Sequence, residues 1–277
     1  MRKLLFIIAL LFLSAPAVAE NIMMPHIDIH QTLNPNKNVS DAMIENFYKH
    51  PEYIPVIDKE CAETMGWVKG NFAFFEPLHH RAVFCLAWET NKKLNKEQIE
   101  LLAQLNKAWS NVIMDLYQSD TYRNSFAVSF DNEQEYSLQL AVRIYNIVTQ
   151  QKWPECFYET NEKDKKIMYN YIKPCNTPSK IMKNCRKEKN SLLCMQNQII
   201  NKINLFQTIK RPDVLEEEIK KERQDNFALL IKLTDELISQ LIKNDKDKQQ
   251  EIMRFYNFYW LSIIRSYKEA LAYINND

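Results

Sequence analysis

Glycine is nearly missing. Gly66 and Gly70 are the two in 277 residues, against an average use of about 7%. That scarcity excludes the Gly-rich loop that cradles a nucleotide phosphate, the dinucleotide-binding fingerprint and the Gly-Xaa-Ser-Xaa-Gly nucleophile elbow, because each needs glycine where the backbone turns tightly or approaches a ligand. It also argues against tight primed hairpins, whose central residues take positive φ. Helices make no such demand.

Net charge is scarce too. Lys and Arg number 36 against 35 Asp and Glu, a formal charge of +1. Such balance offers no electrostatic support for nucleic acid as a partner. Also missing is a long apolar run. The longest, Leu4 to Leu13, has ten residues, about half of what a bilayer-spanning helix takes.

That run follows Arg2 and Lys3 and precedes Ala17-Val18-Ala19. The order of charge, apolar stretch and small residues reads as a secretory signal peptide cleaved after Ala19. No cysteine follows the cleavage point, which argues against a lipid anchor there. Without Arg2 and Lys3 the count becomes 34 basic against 35 acidic, a net charge of −1. The expected product is exported, periplasmic or secreted, with no membrane span.

Six cysteines remain in that product. An even count in an exported chain reads as disulfides rather than thiols or zinc ligands. Of fifteen pairings, the near neighbours are preferred: Cys61 with Cys85, Cys156 with Cys175, and Cys185 with Cys194. The last pair makes a geometric demand. Nine residues of unbroken helix would separate the cysteines by ~13 Å, beyond the ~7 Å Cα limit for a bridge, so the chain must turn near Lys189-Asn190.

Apolar periodicity points to helices throughout. Ser40 is placed to cap a short helix through Ala42, Ile44, Phe47 and Tyr48 that stops before Pro51. Pro55 suits the first turn of a second helix that runs to about Met65 and ends at Gly66. Pro77 opens a third, with Leu78, Arg81, Ala82, Cys85 and Trp88 on one face. Asn95 with Gln98 forms a capping box before the stripe Leu101, Leu102, Leu105, Trp109, Val112, Ile113 and Leu116. A further helix, about Asn132 to Gln150, is expected to bury Leu138, Ala141, Val142, Tyr145 and Val148. Pro212 can start a long one through Leu230, Ile231, Leu237 and Ile238, broken at Asn244-Asp245.

The densest apolar feature follows. Phe255-Tyr256-Asn257-Phe258-Tyr259-Trp260 places five rings in six positions. At 100° per residue they cover nearly the whole helix circumference, and a helix apolar all round is buried on all sides. It is expected to serve as core, against the Trp109 helix, with an aromatic-lined groove as the other reading.

The fold class expected is all-α: a multi-helix bundle stapled by disulfides, with a long C-terminal antiparallel helix pair. Its organisation is a signal peptide (1–19), an extended arm (20–38), a helical region (39–150), a Cys-rich basic connector (151–195) and a C-terminal helical hairpin (196–277). Residues 39–277 could equally form one domain.

Candidate chemistry is sparse. His26, Asp28 and His30 alternate, so an extended chain would set three potential ligands on one side; with Met23 and Met24 upstream the donors suit copper, and zinc is the other candidate. Glu76, His79 and His80 share the first turn of the third expected helix. Glu76 and His79 make the half-motif of di-iron bundles, but no second half exists to complete it. No cofactor is therefore expected as the main reading, and no catalytic residue stands out. Lys180, Lys183, Arg186 and Lys187 make the connector basic and are the candidate partner-binding residues.

Cys185, Cys194, Trp260 and Arg265 resemble the small helical periplasmic lysozyme inhibitors, which pair cysteines near a helical hairpin and end in a Trp and Arg helix. The resemblance covers at most the last 95 residues. Here the Trp-to-Arg spacing is one longer and the family's closing cysteine is absent. What it implies is inhibition of a hydrolase by a helical protein. The function expected is recognition or neutralisation of another envelope protein, of inhibitor or immunity type, more a binder than an enzyme. Two alternatives stay open: a metal-binding protein or enzyme using the His-rich first third, and a helical chaperone, which would hold many clients rather than one.

Overall fold

Asn95 and Gln98 bond each other's backbone across the start of a helix. The Asn95 N–H donates to Gln98 Oε1 (3.0 Å) and the Gln98 N–H to Asn95 Oδ1 (2.9 Å). Two donors that a helix start leaves without a partner are thereby satisfied. The computed structural model describes residues 39–71, 76–114, 126–153, 178–206 and 216–274. Within them the chain is all helix and turn, with no strand. The helices are α1 (Val39–Tyr48), α2 (Ile54–Asn71, after a single 3₁₀ turn at Pro51–Tyr53), α3 (Glu76–Asn91), α4 (Lys96–Met114), α5 (Phe126–Thr149), α6 (Lys180–Cys185), α7 (Ser191–Ile203), α8 (Glu216–Leu241) and α9 (Asp245–Ile274). All belong to one compact unit, Asn36–Asp277.

The aromatic run lies at the middle of α9, and every one of its six positions is buried. Five helices, α4 to α8, pack around this one, which is why no face of it needs to be polar. Trp109 of α4 meets Phe258 and Tyr259 with ring centroids 5.3 and 5.0 Å apart, and Phe206 stacks on Trp260 at 6.2 Å. Each buried ring contributes about 1.5–3 kcal/mol, and each ring pair about 0.5–1.5 kcal/mol more. The run is core.

A second centre exists where sequence periodicity suggested an ordinary one-faced helix. In α3, Ala82, Phe84, Cys85, Leu86, Ala87 and Trp88 are all buried, because α1, α2 and α5 cover it from three sides. Cys85 lies at disulfide distance from Cys61 of α2, with a Cα separation of 5.0 Å. Ionic ties flank the bridge. Arg81 pairs with Glu60, while Trp88 Nε1 donates to Asp58 Oδ1 (2.8 Å) and Lys92 Nζ reaches the same oxygen (2.5 Å). Burial pushes the Asp58 carboxyl up, but the bonds from Lys92 and Trp88 outweigh it and hold its pKa below the ordinary 3.8.

Three expectations differ from what is seen. The second helix does not end at Gly66. It continues to Asn71, and neither a positive φ nor a close neighbour requires glycine at position 66. Sequence spacing had read glycine as a stop, but tertiary cover on Cys61, Thr64 and Met65 holds the helix through it. The helix expected from Asn132 starts at Phe126. It buries Leu138, Gln139, Leu140, Val142, Arg143 and Ile144, while Ala141, Tyr145 and Val148 are half-buried. The cause is cover from more than one side: α5 packs on α3 and α4 and touches α9, where the Arg143 guanidinium sits 4.7 Å above the Phe258 ring. Finally, the boundary drawn at 195/196 falls inside α7, since a change in composition does not have to coincide with a helix end.

Scarce glycine leaves one visible mark. Gln150, just past α5, takes φ 58°, a left-handed conformation that costs a non-glycine residue about 1–2 kcal/mol. Its side chain donates to Ile147 O at 2.8 Å and so satisfies a carbonyl that the helix end leaves open. In the C-terminal half, α8 lies most extensively along α4, with α9 as a second neighbour. Pro212, expected to start α8, lies outside the described residues.

Candidate functional site

Helix α6 is short, so its position depends on what holds it. Ser179 caps it, accepting the Met182 N–H at 3.1 Å. The Ser179 N–H in turn donates to Asn257 Oδ1 at 2.8 Å. Asn257 is the one polar residue in the aromatic run, and its side chain ties α6 to α9. Ile181, Met182 and Cys185 are buried beneath α6. Cys185 lies at disulfide distance from Cys194 of α7, with Cα atoms 5.5 Å apart. The turn that this pairing demands occupies residues 186–190, and Asn190 caps α7 by accepting the Leu193 N–H at 3.2 Å.

With one side of α6 buried, its charges face outward. Lys180, Lys183, Arg186 and Lys187 are all exposed. No ion pair to any of the four occurs among the described residues. They form a basic edge, with Lys189 beside it and Glu188 as the single interspersed acid.

On the other flank of α7, a groove of about 570 Å³ runs between α7 and α8. Gln196 and Ile200 face it from α7; Ile231, Lys232, Asp235 and Glu236 face it from α8. Tyr256 of α9, itself fully buried, donates its hydroxyl proton to Asp235 Oδ1 (2.7 Å) and accepts from Gln196 Nε2 (2.8 Å). Burial pushes the Asp235 carboxyl up. Burial first, then the bond to the neighbouring carboxyl group, push the Tyr256 phenol far up as well, so the tyrosine keeps its proton and is the donor in this hydrogen bond. Nearby, Tyr259 and Thr234 share a buried hydrogen bond of 2.9 Å.

The other sequence candidates are not assembled by the described fold. His26, Asp28 and His30 lie outside the described residues, as do Cys156 and Cys175. His79 and His80 fall in the first turn of α3, and their side chains lie outside the described residues. Among the described residues no three His, Cys, Asp or Glu side chains come together as a metal-ligand set. No described helix is long and apolar enough to cross a membrane.

The groove escaped sequence reading for a clear reason. Tyr256 was absorbed into an apolar run, although the run alone carries no information about which hydroxyl meets a carboxylate. One signal was present: Asp235 interrupts the α8 stretch in which Leu230, Ile231, Leu233, Thr234, Leu237 and Ile238 are buried. An acid next to such a stripe is costly unless something holds it. Compared with known protein-family models, curated proteins and solved structures, the chain matches none.

Proposed function

We propose that this chain is an exported helical binding protein that recognises another protein of the cell envelope, in the manner of an inhibitor or immunity protein, through the basic edge of α6. The observation that carries the proposal is the exposure of Lys180, Lys183, Arg186 and Lys187 on a short helix clamped from behind. Cations without ion pairs among the described residues, on a backbone that is already ordered, lose little conformational entropy on binding. They suit an acidic protein surface, with a salt-sensitive association rate. Export is supported by the pattern of residues 1–19 and by cysteines that meet at disulfide distance.

The test begins with affinity capture from an envelope extract, followed by identification, purification and titration of the captured protein. A one-to-one complex is expected, and its affinity should fall at least about fourfold in the K180Q/K183Q/R186Q/K187Q variant, from about 0.2–1 kcal/mol per exposed charge pair over four pairs. Raising salt should weaken the parent complex more than the variant. Equal affinity of the folded variant, or capture of many unrelated proteins, would refute the proposal.

A further inference from the structure

Asp235 poses a problem of charge. Its carboxylate is half-buried in the α7–α8 groove, one oxygen accepts a hydrogen bond from the Tyr256 hydroxyl, and no cation pairs with it among the described residues. Lys232, one turn away on the same helix and also lining the groove, makes no ion pair with Asp235 or Glu236 among the described residues. Taking an ion partly out of water is unfavourable unless an opposite charge or several donors compensate. Here one hydroxyl does so.

The rest of the groove has the opposite character. Ile200, Ala228 and Ile231 supply apolar wall beside the two acids. Two carboxylates against one ammonium leave the groove with a net charge of −1. An apolar wall that leads to an anion matches the side chains whose stem is aliphatic and whose tip is a cation.

We propose that the α7–α8 groove receives a basic side chain, arginine or lysine, of a protein partner, with its stem along Ile200, Ala228 and Ile231 and its cation at Asp235, Glu236 closing the rim. The partner comes from the binding function proposed above, but the groove stands on different residues from the basic edge. The two surfaces flank α7 on opposite sides: Cys194 and Gln198 face α6, whereas Gln196 and Ile200 face the groove. A partner that engages both would offer acidic residues to one and a basic residue to the other.

The test uses the full exported chain and small probes, so it succeeds or fails independently of any partner. Nα-acetyl-arginine amide is titrated against the ¹⁵N-labelled protein, with Nα-acetyl-citrulline amide as the uncharged isostere. Saturable shifts are expected at Gln196, Asn197, Lys232, Asp235 and Ser239, in about the millimolar range for so small a ligand. The citrulline probe should bind at least about fivefold more weakly, as loss of a charge-assisted bond implies. Asp235→Asn separates the proposal from a purely structural role, because the amide keeps an oxygen for the Tyr256 hydroxyl while removing the charge. A site for cations loses at least about fivefold in arginine affinity; a merely structural Asp235 loses none. Equal shifts from both probes, unchanged affinity in Asp235→Asn, or no saturable shift at these residues would overturn the proposal. If Asp235→Asn does not fold, Glu236→Gln and the probe comparison on the parent chain decide it.

Discussion

Replacing Cys185 and Cys194 together by alanine removes the link between α6 and α7, and its cost follows from the length of chain the bridge closes. The two cysteines are 9 residues apart, and Cys61 and Cys85 are 24 apart. A cross-link chiefly restricts the unfolded chain, by an amount that grows with the logarithm of loop length. For these separations the loss at 25 °C is about 2.6 kcal/mol for Cys185–Cys194 and about 3.5 kcal/mol for Cys61–Cys85. Cys61, Cys85 and Cys185 are buried whereas Cys194 is half-buried, so the Cys61/Cys85 variant also loses more packing, and this adds in the same direction to the roughly 0.9 kcal/mol that the loops contribute. Urea unfolding of both double variants, without reductant, measures the difference. Both should show a lower midpoint and a steeper denaturant dependence, since an unlinked chain exposes more surface. If the Cys185/Cys194 variant were the less stable of the two, or if neither lost stability, the assignment of these bridges as restraints on the unfolded chain would be wrong.

Two further outcomes test the fold. Gly66→Ala should stabilise the protein by about 0.5–1 kcal/mol in thermal or urea melts, because Gly66 is helical and exposed and a Cβ there meets nothing within 4 Å; a loss would mean that the helix does stop there. Asp58→Asn should cost less than about 1 kcal/mol at neutral pH, as the carboxylate is 41% exposed. The pH dependence has a definite sign. The folded pKa lies below the ordinary 3.8, so the Asp58 contribution is complete above the unfolded carboxylate's pKa and is lost as pH falls through the lower folded value. The gap in midpoint between parent and variant should therefore close on acidification below about pH 3.8, and a gap that widens there would exclude the Lys92 and Trp88 contacts as its source.

The helices were largely legible because periodicity and caps are local properties. Asn95 and Gln98 sit three residues apart and can satisfy only each other's backbone, so the start of α4 needed no tertiary information. The turn between Cys185 and Cys194 followed from distance alone. Gly66 misled for a related reason: local propensity disfavours glycine in a helix by about 1 kcal/mol, and packing of the residues before it outweighs that amount. The spacing of Ala82, Cys85 and Trp88 in α3 identified residues that are buried, but a period tells which residues share a side and not how many neighbours cover the others.

The chain by itself determined an all-helical protein with scarce glycine, near-zero charge, a basic segment at Lys180 to Lys187 and an aromatic turn too apolar to face water. These follow from composition and from spacings of three and four. Only tertiary structure decided that the aromatic turn is enclosed by five helices, that Asn257 anchors the basic helix, and that Asp235, Gln196 and Tyr256 meet beside a groove. Those three residues come from three helices and are up to 60 positions apart. Side chains so distant in sequence have no shared local signal; their meeting is set by how helices pack, and packing is a property of the whole chain.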